Sequence, residues 1–203
     1  MFSRRVWLAM PLAFPQHMAS GSSLPHPTAA QRVKPGPGQL SVWEAPFTRP
    51  PSVRDVRGKH VVLRVGEDGP VILESTNGVQ ICETSHPPTW YFPQEDIRMG
   101  HLRRIGGATM CEFKGRATYF DIMAEPDGAS NPAARALVPQ GAWTYDRTDT
   151  TPIEGRVAFY LRPPLVAHVD GERAAPQEGD FYGGWITSDV VGPFKGGTGT
   201  RFW

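Results

Sequence analysis

Proline and glycine set the limits on what this chain can fold into. Twenty-one prolines and twenty-two glycines occur among 203 residues, about a fifth of the chain. Proline has no amide hydrogen to give to a helix and fixes its own φ, while glycine loses the most conformational freedom on ordering. Long helices are therefore excluded over much of the sequence, and short strands joined by turns are what remains. The expectation is an all-β fold: a compact two-sheet antiparallel barrel or β-tent-like domain with irregular N- and C-terminal extensions.

The chain is long enough to bury a substantial core, and 39% hydrophobic with 20% charged residues is ordinary for a globular protein. A formal charge of +1 creates no global field that would draw nucleic acid or an anionic membrane. Neither is expected as a partner; a small-molecule ligand is, with homo-oligomerisation open. Cys82 and Cys111 are too few for a disulfide framework and read as free thiols in the cytoplasm. No segment approaches the roughly 18 apolar residues that a membrane span requires. Arg4 and Arg5 before Val6–Met10 faintly imitate a signal peptide, but Pro11 interrupts the run, and Met18 offers a second start. Residues 1–30 are read as a disordered leader or an over-extended start.

Residues 31–52 form a Pro/Gly-rich docking arm in which Trp43 is expected to be partly buried. Residues 53–172 carry the β domain, with strand-like runs at His60–Val65, Val71–Ser75, Val79–Thr84, Thr109–Phe113, Ala117–Ile122, Ala142–Tyr145, Val157–Tyr160 and Leu165–Val169. Glu67-Asp68-Gly69-Pro70 reads as a hairpin turn. Helical turns are expected only at Pro93–Met99 and Asn131–Leu137, where Pro132 suits a first helical position. No βαβ unit is visible. Residues 173–203 read as a Gly/aromatic-rich strap that docks through Phe194, Phe202 and Trp203. Its Lys195–Thr200 stretch lacks the lysine and following helix of a phosphate-binding loop.

The richest chemistry lies between Glu83 and Asp96. Pro87 biases His86 away from the helical region, presenting its imidazole from extended backbone. Alternation in such a segment puts Glu83 and Ser85 on one face and Thr84 and His86 on the other, which makes a Ser85–His86 dyad geometrically poor. His86 either bonds backbone carbonyls at a turn or binds, and exchanges a proton with, a ligand. Lys114, between Phe113 and Gly115, is a solvated hairpin lysine or a cation for a carboxylate or phosphate. Among the flat residues, Trp143 is assigned to the core and Tyr145 to a pocket rim. The candidate ligand-binding set is Glu83, Ser85, His86, Tyr91, Lys114, Tyr119 and Tyr145, with no catalytic residue assigned. Cys82, His86 and Cys111 have weak zinc-ligand spacing, so neither a metal nor a cofactor is expected. Glu95 and Asp96 are read as capping or starting the turn after Pro93.

The Thr84-Ser85-His86-Pro87 run, Cys111–Gly115, Ala117-Thr118-Tyr119, Ala142–Tyr145 and Ile153–Tyr160 together resemble the family known as domain of unknown function 427. Arg32–Gly38 before the domain, and Gly183–Thr187 and Gly192–Gly197 after it, look like that family's extensions. The resemblance implies a compact structure of antiparallel sheets and carries a nucleotidyltransferase-like label, but no catalytic residue comes with it. Cys82 departs from the family pattern, in which an aliphatic residue is more usual. Three functions follow: a small-molecule-binding domain, with enzymatic activity left open, whose pocket lies at the Thr-Ser-His-Pro loop; an interaction or homo-oligomerisation module using Trp43, Trp185, Phe202 and Trp203; and nucleotidyl transfer. The last lacks paired carboxylates in the sequence, and the basic cluster of Arg98, Arg103 and Arg104 is too modest to imply nucleic acid.

Overall fold

The computed structural model describes residues 24–203 apart from Pro132. Its strands are β1 (Leu40–Ser41), β2 (Ser52–Asp55), β3 (Val61–Val65), β4 (Val71–Ser75), β5 (Val79–Cys82), β6 (Thr89–Tyr91), β7 (Leu102–Cys111) and β8 (Gly115–Met123). They continue as β9 (Ala136–Tyr145), β10 (Val157–Phe159), β11 (Leu165–Val169), β12 (Glu172–Arg173), β13 (Ala175–Pro176), β14 (Trp185–Ile186) and β15 (Val190–Val191). Helical structure among the described residues is confined to single 3-10 turns, so the all-β expectation holds. Two four-stranded sheets, β10-β9-β8-β7 and β12-β11-β3-β4, accompany the three-stranded β2-β5-β6 and the pairs β13-β14 and β1-β15. Every pairing is antiparallel except β1 with β15.

No sheet closes on itself, so the barrel form of the expectation is corrected to a set of open sheets. Two strands are also longer than their sequence patterns. β7 starts at Leu102 and β9 at Ala136, because the breakers inside them are absorbed as irregularities instead of ending the strand. In β7 the register shifts between Arg104 and Ala108, around Gly107 at φ 97°. In β9 Gln140 takes φ 48°, and Asp121 Oδ1 accepts its N–H at 3.0 Å. The helical turn expected over Asn131–Leu137 is cut short: Ala134 N–H donates to Asn131 O at 3.1 Å, but Ala136 already pairs with Met123, and partner-strand hydrogen bonding takes over from there. Pro93–Met99 does coil, giving a 3-10 turn at Gln94–Asp96 and the start of a second at Met99–His101. Asp96 ties that region to β4, accepting from Ser75 Oγ at 2.6 Å and Asn77 Nδ2 at 3.2 Å, and gives its own turn no side-chain cap.

Phe92 and Val157 exchange backbone hydrogen bonds of 2.9 Å and thereby join β6 to the edge of the β10-β9-β8-β7 sheet. The period of two then sorts side chains between two faces. Trp90, Phe92, Val157, Phe159, Ala142, Phe120 and Ile122 point into the main core, where they meet Leu63, Ile72 and Leu73 of the facing sheet. Tyr91, Ala158, Trp143, Tyr145, Ala117 and Tyr119 alternate onto the opposite face and form a second cluster with Val79, Ile81 and Ile153. Each large side chain fully buried in these clusters contributes about 1.5–3 kcal/mol.

The terminal segments close over this frame. Trp185 of the strap is completely buried in the main core, its ring 5.8 Å from that of Phe92 and its Nε1 donating to the Phe159 carbonyl at 2.9 Å. Arm and strap also hold each other. Val42 N–H donates to Val191 O at 3.1 Å, Trp43 Nε1 to Pro193 O at 2.8 Å, and Leu24 N–H to Gly199 O at 2.7 Å. Trp43 is thus nearly fully buried, in a third cluster with Val42, Phe47, Cys82 and Val190, against which Phe194 and Trp203 pack. Phe202 stays exposed. Most of the leader expected over residues 1–30 lies outside the described residues; from Leu24 onward the chain is seated on the strap.

Candidate functional site

The second face of the β6-β10-β9-β8-β7 surface is the floor of a cavity of about 480 Å³. All five tyrosines of the chain line it. Tyr91, Trp143, Tyr145 and Tyr119 come from the alternation just described, with Thr109 and Cys111 from β7. Glu83, Thr84, Ser85 and His86 form one wall, Arg49 and Thr48 approach from the arm, and Phe181, Tyr182, Gly183, Lys195 and Trp203 from the strap. The seven residues singled out from sequence, Glu83, Ser85, His86, Tyr91, Lys114, Tyr119 and Tyr145, all lie on this lining.

One feature of the loop after β5 overturns the face assignment expected from alternation. The strand ends at Cys82, His86 N–H donates to the Glu83 carbonyl at 3.0 Å, and Ser85 adopts φ 70°. A positive φ at the third position of a turn reverses the chain, so Glu83, Ser85 and His86 face the same cavity. Ser85 is held there from both sides: its N–H donates to Val42 O and its carbonyl accepts from Lys195 N–H, each at 2.8 Å.

Lys114 sits in the tight β7–β8 turn, which Gly115 closes at φ 85°. It is buried, not a solvated hairpin lysine, and its Nζ donates to Glu83 Oε2 at 2.6 Å. Glu83 and Lys114 therefore form a largely desolvated ion pair on the cavity wall, with side chains 26% and 10% exposed. The second cavity cation, Lys195, lies 5.1 Å over the Tyr182 ring; burial pulls its pKa down, opposed by the field of Glu83. Arg49 pairs with Glu112 at 2.9 Å near the mouth.

The protonation of His86 follows from its neighbours. Gln177 Oε1 accepts from Gly184 N–H at 3.1 Å, and Gln177 Nε2 donates to the Lys195 carbonyl at 2.8 Å, which fixes the orientation of the amide. The same Nε2 lies 3.1 Å from His86 Nδ1, so Nδ1 must accept and the ring proton sits on Nε2. Burial pushes the imidazole pKa down to about 4, Lys195 and Lys114 add to the depression, and Glu83 opposes it. At neutral pH His86 is an uncharged N–H donor, packed edge-on against Tyr182 with ring centroids 4.6 Å apart.

The phenols are donors too. Burial raises the pKa of Tyr91, Tyr145 and Tyr160 well above the ordinary tyrosine value. Tyr160 Oη donates to Phe181 O at 3.2 Å, Tyr182 Oη to Arg201 O at 3.1 Å, and Tyr119 Oη shares a hydrogen bond of 2.7 Å with Thr109 Oγ1. Tyr91 Oη accepts from Trp143 Nε1 at 3.2 Å, which leaves its own proton uncommitted. Trp143 belongs to the second cluster as expected of a core residue but also shows a face to the cavity. Tyr145 is only 5% exposed, so it belongs to the floor and not the rim.

Sequence reasoning missed Gln177, Tyr160, Tyr182 and Lys195. Tyr160 had a readable signal, since it stands two residues beyond Ala158 on the cavity-facing register of β10. The strap residues had only the Gly183-Gly184 pair. A Cβ at Gly183 would lie 2.3 Å from the Trp143 ring, and one at Gly184 would lie 2.5 Å from Pro87 O. Glycine is required there because the strap backbone lies directly on the cavity wall.

The two cysteines occupy different places: Cys82 is fully buried beneath the arm, and Cys111 lines the cavity. Among the described residues no three His, Cys, Asp or Glu side chains gather as metal ligands. Arg103 pairs with Asp121 at 3.1 Å and Arg104 with Asp146 at 2.8 Å. Among the described residues no helix is long and apolar enough to cross a membrane.

No curated protein matches the chain. A family model described as a domain of unknown function, DUF427, matches residues 55–174, more than half of the sequence, and the chain belongs to that family.

Proposed function

We propose that this protein binds a small organic molecule in the cavity between the β6-β10-β9-β8-β7 surface and the strap. The observation that carries the reading is the convergence of all five tyrosines with the Glu83–Lys114 ion pair on one cavity of about 480 Å³. That volume lies within the usual range for ligand pockets of roughly 300–1,000 Å³, and flat walls with a few fixed polar groups are what such pockets present. Folding has also placed an ion pair and a neutral imidazole where an apolar wall would be easier to bury. A bound polar ligand supplies the interactions that make such a wall favourable.

The interaction-module reading has less behind it, because Trp43 and Trp185 are engaged inside their own chain. Nothing in the cavity favours the nucleotidyltransferase-like reading: Glu83 is bonded to Lys114 and Glu112 to Arg49.

A thermal-shift panel of carboxylates, sugar phosphates, nucleotides and amines on the wild type, His86→Ala and Lys114→Ala tests the proposal. Ligand at about 100 times its Kd adds about 2.7 kcal/mol, or about 5–11 °C for a chain of this size. Hits that disappear in either variant support the cavity as the binding site. A panel in which every hit persists in both variants, or in which none appears, refutes it.

A further inference from the structure

We infer that the ligand is a planar molecule bearing a carboxylate, its ring against Trp143 and its anionic end met by the hydroxyls of Tyr91 and Tyr145. This deepens the small-molecule reading and rests on it. Three independent features of the cavity point the same way.

The first is an excess of donors. Tyr91 is 1% exposed, and because its oxygen already accepts from Trp143 Nε1, its own proton has no acceptor among the described residues. Tyr145, 5% exposed with its ring 6.3 Å from that of Tyr91, has no hydrogen-bond partner for its hydroxyl among the described residues. The Gln177 amide leaves the proton of His86 on Nε2 as a third donor on the lining. Neither Tyr145 Oη nor His86 Nε2 is sealed off as a buried, unpartnered atom; both open on the cavity, where an acceptor on a ligand can reach them.

The second is charge. Glu83, the one carboxylate on the buried wall, is taken up by Lys114, and Glu112 by Arg49. Lys195 has no carboxylate within ion-pairing distance among the described residues, so the lining carries one uncompensated cation. An anion therefore finds both donors and charge, whereas a cation would have to compete with Lys114 for Glu83.

The third is shape. Trp143 and Tyr160 lie 4.5 Å apart, and the Gly183 backbone packs on the Trp143 ring. The two rings are tilted by 44° and form an aromatic corner, in which a planar ring can lie against one face at little conformational cost.

Benzoate, benzamide and benzamidine have nearly one shape and carry negative, zero and positive charge. Each is titrated at millimolar concentrations by ligand-observed NMR into the wild type, Tyr91→Phe, Tyr145→Phe and Lys195→Met. Benzoate is expected to bind tightest and benzamidine weakest, and each Tyr→Phe change is expected to weaken benzoate by about 10-fold or more. These phenylalanines keep the ring, so a merely space-filling role would leave affinity unchanged. Tyr145→Phe breaks no existing hydrogen bond and keeps the test decisive if Tyr91→Phe folds poorly. Tighter binding of benzamidine, or benzoate affinity unmoved by both phenylalanines, overturns the inference. So does silence from all three probes, in which case cavity-dependent hits from the wider panel leave the small-molecule reading standing, and their absence removes both.

Discussion

The neutral state of His86 makes a prediction that can be followed from structure to melting curve. Its pKa falls from 6.5 to about 4 on folding, chiefly through burial, with Lys195 and Lys114 reinforcing and Glu83 opposing. Because the folded-state value is depressed, the unfolded chain binds the extra proton between pH 6.5 and 4. Stability is therefore fully present above 6.5 and is lost as pH falls through this window. Between pH 7 and pH 5 the loss through this one group is about 2 kcal/mol, which corresponds to about 4–8 °C in melting temperature for a chain of this length. His86→Asn retains an acceptor for the Gln177 amide in place of Nδ1 but cannot titrate. Melting temperatures of both proteins are measured at pH 7, 6 and 5 in matched ionic strength. The gap between them should move by about 4–8 °C in favour of the variant on going to pH 5, while carboxylate contributions common to both cancel. Parallel curves would refute the argument, as would an NMR titration of His86 with a midpoint near 6.5. Either would mean that burial of His86 does not hold the ring neutral.

Burial pushes the Cys82 thiol up to about 12 beneath Val42 and Trp43, so a thiol reagent should label Cys111 in the native protein and Cys82 only after unfolding. Rapid native labelling of both would show the arm to be displaced. Trp185→Ala should cost about 3–5 kcal/mol in chemical denaturation, because it opens a cavity beside Trp90 and Phe92 and orphans the Phe159 carbonyl; a loss under 1 kcal/mol would show that the strap is not part of the core. Lys114→Met should destabilise by about 1–3 kcal/mol by leaving Glu83 unpaired on the cavity wall, and adding Glu83→Gln should recover most of that loss. Equal stability of the single and double variants would argue against the pair.

How much of this was legible in the sequence depended on whether a residue answered to its neighbours or to a distant segment. Period-two patterning was enough to find β4 and β11 to the residue and to place Trp143 and Tyr145 on one face. It failed where a strand tolerates a breaker: Gly107 in β7 and Pro139 and Gly141 in β9 look like strand ends, and pairing with β8 carries the chain through them. For the site, Glu83, His86 and Tyr91 could be singled out because their chemistry is conspicuous in a proline-stiffened run, and Lys114 because it is a cation beside a glycine. Gln177 could not, since its significance is that it reaches His86 across 91 positions. No local rule reports a contact of that separation. Lys195 escapes notice for the related reason that its glycine-rich setting reads first as a phosphate loop, a motif it does not complete.

Ser85 shows why the family domain and its extensions must be taken together. A non-glycine residue at φ 70° costs about 1–2 kcal/mol, and a loop following β5 without help would relax to extended backbone, turning Ser85 and His86 to opposite sides. What holds it is one hydrogen bond from each extension: the arm accepts from Ser85 N–H through Val42, and the strap donates to its carbonyl through Lys195. The matched family region ends at residue 174, so one of these partners lies before that region and the other after it. The same strap residue that stabilises the strained turn presents its side chain to the cavity, and the same strap fixes the proton of His86 through Gln177. The strap thus both holds the wall's strained turn and lines the cavity. In the intact chain strand alternation sets the tyrosine floor, while the reversal that brings His86 to face it is held by both extensions.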